Sequence, residues 1–199
     1  MLEKLNRVEA ADLDSETYLD DFWPRYQKIK DVFWKLETYQ HFREPGVPSW
    51  EAFNDGQWER SLRLMADMQA EAKTELAQGD FVRRRVRVVD LPLTPYLQWE
   101  LNFLKLRAEV GEQIRVVSTD KAQSCGFDAL PELVVLGDVA IYEVLYDRDG
   151  NHEGARRFDS VELISGVRRD LEKLYAEGEE IRRFFARELA QLPSPKVAP

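Results

Sequence analysis

The arginines of "RRRVRVVDLPLTPYLQWE", residues 83–100, are the first side chains of this sequence whose types and spacing could do chemistry. Arg85 and Arg87 alternate with Val86 and Val88, so a strand here turns both guanidiniums to one face. Arg115 recurs in "QIRVVS", and Glu100 lies between the two arginine segments. Two chemistries suit such a set. One is an anion or nucleic-acid site, with the guanidiniums holding phosphate or carboxylate. The other is scaffolding: Arg87, Arg115 and Glu100 pair at a sheet edge or layer boundary and their stems cover apolar surface. The net charge of −9 and the lack of aromatics interleaved with the arginines favour scaffolding.

A second candidate site follows from element order. Arg83–Val89 reads as a strand, Thr94 as a cap with Pro95 at the first helical position, and "QIRVVS" as a second strand. Strand, helix and strand with short connections form a βαβ unit with parallel strands. Small ligands of such units favour the crevice beyond the strand carboxyl ends. Here that crevice would be lined by Asp90, Thr94 and Tyr96 on one loop and by Ser118, Thr119 and Asp120 on the other. Thr94 as a plain cap and Asp120 as a plain turn residue is the competing explanation.

Other chemistries find little support. Cys125 is the single cysteine, with no basic neighbour, and suits a small, partly buried residue in a reducing compartment. The two histidines, His41 and His152, offer no metal set, and His152 falls in a hairpin turn where solvent exposure is expected. No glycine-rich phosphate loop or serine elbow occurs, so no catalytic residue, cofactor or metal is expected. The acidic balance argues against specific nucleic-acid binding by the chain alone. No apolar run approaches membrane length, which points to a cytoplasmic protein.

The elements that must position these residues read as α+β. Residues 1–15 form a polar, loose leader, and residues 16–192 a single domain in three parts. The first part, 16–80, is helical: a helix starting near Pro24 and carrying Phe22, Tyr26, Ile29, Phe33 and Leu36, then another over Trp58–Leu76. The second, 81–160, holds the βαβ unit and three antiparallel strands near 132–136, 139–147 and 153–158, a mixed sheet of about five strands. The helix 95–110 bears two apolar stripes on nearly opposite sides and must be covered twice. The third part, 161–192, is one long helix, with a tail at 193–199.

That long helix predicts an interface. Gly178, Ile181, Phe184, Phe185, Leu189 and Leu192 continue its apolar stripe beyond what a sheet can cover. They either pack on the N-terminal helices or meet a second copy or another protein, the latter being the leading expectation.

Several segments together resemble a known family. "RRVRVVDLPLTPYLQWEL", "GEQIRVVS", "FNDGQWERSLRLM" and "LYDRDGNHEGARRF" are similar to an actinobacterial family of uncharacterised proteins, domain of unknown function 6879, over roughly residues 33–175. Within the family's pattern fall Arg85–Val89, Pro92–Thr94, Tyr96, Glu100, Gly111, Glu112, Ile114 and Arg115. The resemblance implies no activity. It implies genes beside helix-turn-helix regulators, and so a regulatory protein that binds such a regulator or itself. A small-molecule or anion sensor and a cryptic carboxylate enzyme are the alternatives.

Overall fold

The computed structural model describes residues 1–196 of the chain, so Val197–Pro199 of the expected tail lie outside the described residues. The fold is α+β, with eight strands in one open mixed sheet where the sequence suggested about five. The strands are β1 (Ala11–Asp14), β2 (Val32–Glu37), β3 (Val82–Val88), β4 (Gln113–Val117), β5 (Leu133–Leu136), β6 (Ala140–Tyr146), β7 (His152–Phe158) and β8 (Glu179–Glu180). Their order across the sheet is β1-β7-β6-β5-β2-β3-β4-β8. β2, β3 and β4 are mutually parallel, and β5, β6 and β7 form an antiparallel meander joined to β2.

The helices are α1 (Ser15–Tyr26), α2 (Pro48–Asn54), α3 (Trp58–Asp67), α4 (Gln69–Ala77), α5 (Pro95–Glu109), α6 (Thr119–Ser124), α7 (Val161–Glu177) and α8 (Ile181–Glu188). The expected βαβ unit is β3-α5-β4, with β3 and β4 paired in parallel. Thr94 caps α5 by accepting from the Leu97 amide, and Pro95 stands in its first turn.

Three expectations about the N-terminal part are corrected. Residues 1–15 are not a loose leader. A 3-10 helix, Leu2–Arg7, buries Leu2 and Leu5 in the main core, and β1 pairs with β7. The helix thought to start near Pro24 instead spans Ser15–Tyr26, with Pro24 in its last turn, where it forgoes the amide bond to the Asp20 carbonyl. Phe33 and Leu36 belong to a strand: "VFWKLE" alternates in burial with period two, and the three-four spacing from Phe22 was coincidental. Pro48 opens α2.

One face of the sheet is apolar and closed. Trp34, Leu36, Val86, Val88, Val135 and Ile141 meet Leu163, Ile164, Val167, Leu171 and Leu174 of α7, and Leu2 and Leu5 seal the end. The other face is divided. Over β4, Ile114 and Val116 are covered by Leu97, Leu101 and Leu104 of α5 and by α8. Over β5 and β6, Val134, Leu136, Tyr142 and Val144 are covered by Phe22 and Ile29 in and just after α1. The second apolar stripe of α5 (Tyr96, Trp99, Leu106) packs under Phe42, Trp50, Phe53 and Met65, which supplies the double cover its pattern demanded.

The long terminal helix is corrected as well. α7 ends at Glu177, Gly178 is extended, and β8 pairs briefly with β4 before α8 begins. A Cβ on Gly178 would stand 2.8 Å from the Arg115 Cβ and 3.2 Å from the Val116 carbonyl oxygen. Only glycine lets the chain pass so near the β4 edge. There the chain crosses from one face of the sheet to the other, and Arg115 donates to the Gly178 carbonyl at 2.8 Å. One stripe in sequence thus serves two faces. Ile181, Phe184 and Leu189 are buried against α5 and β4, not on the N-terminal helices and not free for a partner. Phe185 is partly buried there, while Leu192 remains exposed.

Candidate functional site

The divided face leaves a gap above β2 and β3. Phe33, Lys35 and Glu37 of β2 stand in register with Arg83, Arg85 and Arg87 of β3, all on this face. A strip of charge cannot be roofed by an apolar helix without heavy desolvation cost, so α1 and α5 flank it instead. The result is a cleft of about 720 Å³, within the usual size range of small-molecule sites. Its walls carry Tyr18, Phe22, Tyr26 and Phe33 on one side, Trp99 and Phe103 on the other, and Tyr146 and His152 at the end.

The floor is a relay of ion pairs. Glu37 accepts from Lys35 and from Arg85, each at 2.6 Å. Arg85 also donates to Glu112 at 2.7 Å, Glu112 pairs with Arg107, and Arg107 reaches Glu75 at 2.9 Å. Beside this relay, Arg87 donates to Glu100 at 2.8 Å and to the carbonyls of Val88 and Tyr39 at 2.8 and 2.6 Å. Arg83 is satisfied by the Tyr26 hydroxyl and by carbonyls at the end of α4, and so brings no free charge to the cleft.

Burial and pairing set the protonation states. Burial pushes Glu37 and Glu112 upward, but neighbouring cations outweigh it and hold both below the ordinary carboxylate range: Arg85 and Lys35 at Glu37, Arg85 and Arg107 at Glu112. At Glu100 burial wins over Arg87 and lifts the carboxyl to about 7. Glu44, on the loop after β2, is raised by burial, and the Tyr96 hydroxyl donates to it at 3.1 Å. His152 is not the solvent-facing turn residue expected. It opens β7 between Tyr18 and Tyr146, burial lowers its pKa, and its Nε2 has no partner among the described residues. The Trp99 Nε1 is likewise buried and unpartnered.

The candidates from the sequence fall in two places. Arg87 and Glu100 pair beside the cleft, in the scaffold role, while Arg115 turns to the opposite face over Tyr175. The carboxyl ends of β3 and β4 do border a second hollow of about 680 Å³, lined by Asp90, Ser118, Thr119 and Asp120. Its polar groups are largely spent on the fold. The Asp90 carboxylate accepts from the Thr119 amide and hydroxyl at 3.0 and 2.7 Å, and Ser118 caps α6. Thr94 donates to the Gln40 carbonyl at 2.9 Å, and Tyr96 lies on the α2–α3 side of α5. That crevice and the main cleft are therefore separate, and Tyr96 serves the latter by holding Glu44.

The chain matches the family described as Domain of unknown function (DUF6879) over residues 20–186. It belongs to that family. No curated protein and no solved structure matches it. The matched DUF6879 region contains β2, β3, α4, α5, the turn with Glu112 and β4, and so every member of the charged floor. Among the described residues, no helix is long and apolar enough to cross a membrane.

Several cleft residues escaped sequence reasoning: Lys35, Glu37, Glu112, Arg107, Glu44 and the α1 aromatics. A signal for the acids existed. Three arginines on one face of a strand with apolar neighbours require buried counter-charges, and "KLE" in "VFWKLE" supplies one at strand spacing.

Proposed function

We propose that this DUF6879 domain is a ligand-binding regulatory module, whose cleft between α1 and α5 holds a small organic molecule with an apolar body and a polar head. One observation carries the reading: a buried network of paired ions opens onto an aromatic-walled cavity instead of lying beneath a helix. A buried ion network contributes little net stability and is better justified by specificity. The lining charges balance, with Lys35, Arg43, Arg83, Arg85 and Arg107 against Glu37, Glu44, Glu75, Glu100 and Glu112. That balance disfavours polyanions and nucleic acid as occupants.

The ligand's occupancy would be reported to a protein partner, with the helix-turn-helix regulator implied by the actinobacterial resemblance as the first to try and self-association as the alternative. Leu19 and Trp23 support this side of the reading: they lie one turn apart at the cleft rim and are 50% and 54% exposed. The terminal helix has no such free stripe. A cytoplasmic setting fits both halves of the proposal.

The test is a thermal-shift screen of small metabolites, with hits remeasured by calorimetry on wild type and on Phe33→Ala. A hit weakened tenfold or more by Phe33→Ala supports the cleft. Hits indifferent to Phe33→Ala, or none, overturn it.

A further inference from the structure

The cleft's charges are not equally engaged, and the difference specifies a ligand. Arg85 and Arg107 are each held by two carboxylates, and Lys35, Glu37 and Glu112 belong to the same relay. Arg43 and Glu44 stand outside it. Glu44 receives only the Tyr96 hydroxyl, and the Arg43 guanidinium makes no ion pair or hydrogen bond among the described residues. They are consecutive in the chain and of opposite sign.

Their loop is fixed at both ends. The Thr38 and Tyr39 amides donate to one Glu132 carboxylate oxygen at 2.6 and 2.7 Å. The Arg43 amide donates to the Gly150 carbonyl at 3.0 Å, so the loop rests on the β6–β7 turn. Gly150 leaves no room for a Cβ, which would stand 3.0 Å from the Phe42 Cα. A loop held this way presents its charges without a backbone ordering cost on binding.

We propose that the cleft takes a small zwitterion of the α-amino-acid type with an aromatic or large apolar side chain, its ammonium on Glu44 and its carboxylate on Arg43. The proposal rests on the cleft being the ligand site. Three observations converge on it. The two uncommitted charges match the two charges of such a compound, which adds no net charge to a balanced cavity. The walls behind them are aromatic faces, from Tyr146 and Tyr18 across to Trp99, and suit both an apolar side chain and a nearby ammonium. Burial also raises Glu44 against the pull of Lys35 and Arg85, neither of which pairs with it directly.

The experiment is calorimetry on the full chain with L-phenylalanine, N-acetyl-L-phenylalanine and L-phenylalaninamide, each up to about 10 mM, enough to detect millimolar affinity. Phenylalanine should bind at least tenfold tighter than either blocked form. Glu44→Gln should erase its advantage over the N-acetyl compound, and Arg43→Gln its advantage over the amide. Arg43 is exposed and Glu44 half-buried, and unchanged thermal melting of each variant confirms the fold. Equal binding of all three compounds, or preferences untouched by the two variants, overturns the zwitterion. If none of the three binds but another compound does, and Phe33→Ala weakens it, the zwitterion falls and the cleft stands. If nothing binds in either panel, both fall.

Discussion

Arg87 Nε lies 2.8 Å from Glu100 Oε2, and both side chains are shut away from solvent. This pair ties β3 to the helix that follows it, and three backbone-carbonyl contacts complete the guanidinium's coordination. Removing one member strands a buried charge. Arg87→Ala should therefore lower stability by about 3–5 kcal/mol, read from urea denaturation. The double variant Arg87→Met, Glu100→Leu should recover much of that loss, since an apolar pair of similar volume avoids the desolvation cost. A double variant as unstable as the single would contradict this account.

Glu100 makes stability depend on pH in an unusual direction. Its carboxyl is raised by burial to about 7 in the folded chain, against about 4.3 in an unfolded one. Between those values the folded state keeps a proton that the unfolded state releases, so Glu100's contribution is full below the lower value and declines as pH rises to the upper. Wild type should lose stability over this window relative to Glu100→Gln, with slopes differing by about one proton. Carbon-13 NMR of the side-chain carboxyl gives the direct check. A midpoint in the ordinary carboxylate range would remove the prediction.

The N-terminal segment is part of the core, so it should behave as core. Leu5 is 1% exposed, and Leu5→Ala should cost about 2–5 kcal/mol in the same denaturation measurement. A change within about 0.5 kcal/mol, the usual size for a surface position, would show the segment to be dispensable.

Gly178 marks the crossing between faces. Gly178→Val places side-chain atoms where Arg115 and the Val116 carbonyl already stand, and should destabilise by about 1–3 kcal/mol. Hydrogen exchange should show the loss concentrated in β8 and α8. Protection unchanged there would mean that the chain can pass the β4 edge without glycine.

Much of the fold was legible where one local signal dominated. The Thr94-Pro95 cap, the alternation in β3 and the turn at "DRDGN" each act over a few residues, and the structure has the elements they imply. What failed involved competition between distant segments. Phe33 fits a helical stripe from Phe22, yet pairing with β3 and β5 on both sides makes it a strand residue. The stripe through Leu192 is continuous on paper, but two faces of one sheet divide it at Gly178. Leu2 and Leu5 sit among polar residues, and only α7 and the sheet edge make them core. The site divided in the same way. Arg87 and Glu100 were visible as a pair because only a short loop separates β3 from α5. Glu37 comes from β2, Arg107 from the far end of α5 and Glu112 from the turn before β4, and nothing local announces their meeting.

The sheet's two ends have a further consequence. It begins with the four residues of β1 and stops at the two residues of β8. An incoming strand seeking backbone partners would find only a few at either margin, too few to template a longer ladder. Margins this short blunt edge-to-edge pairing between chains of this protein.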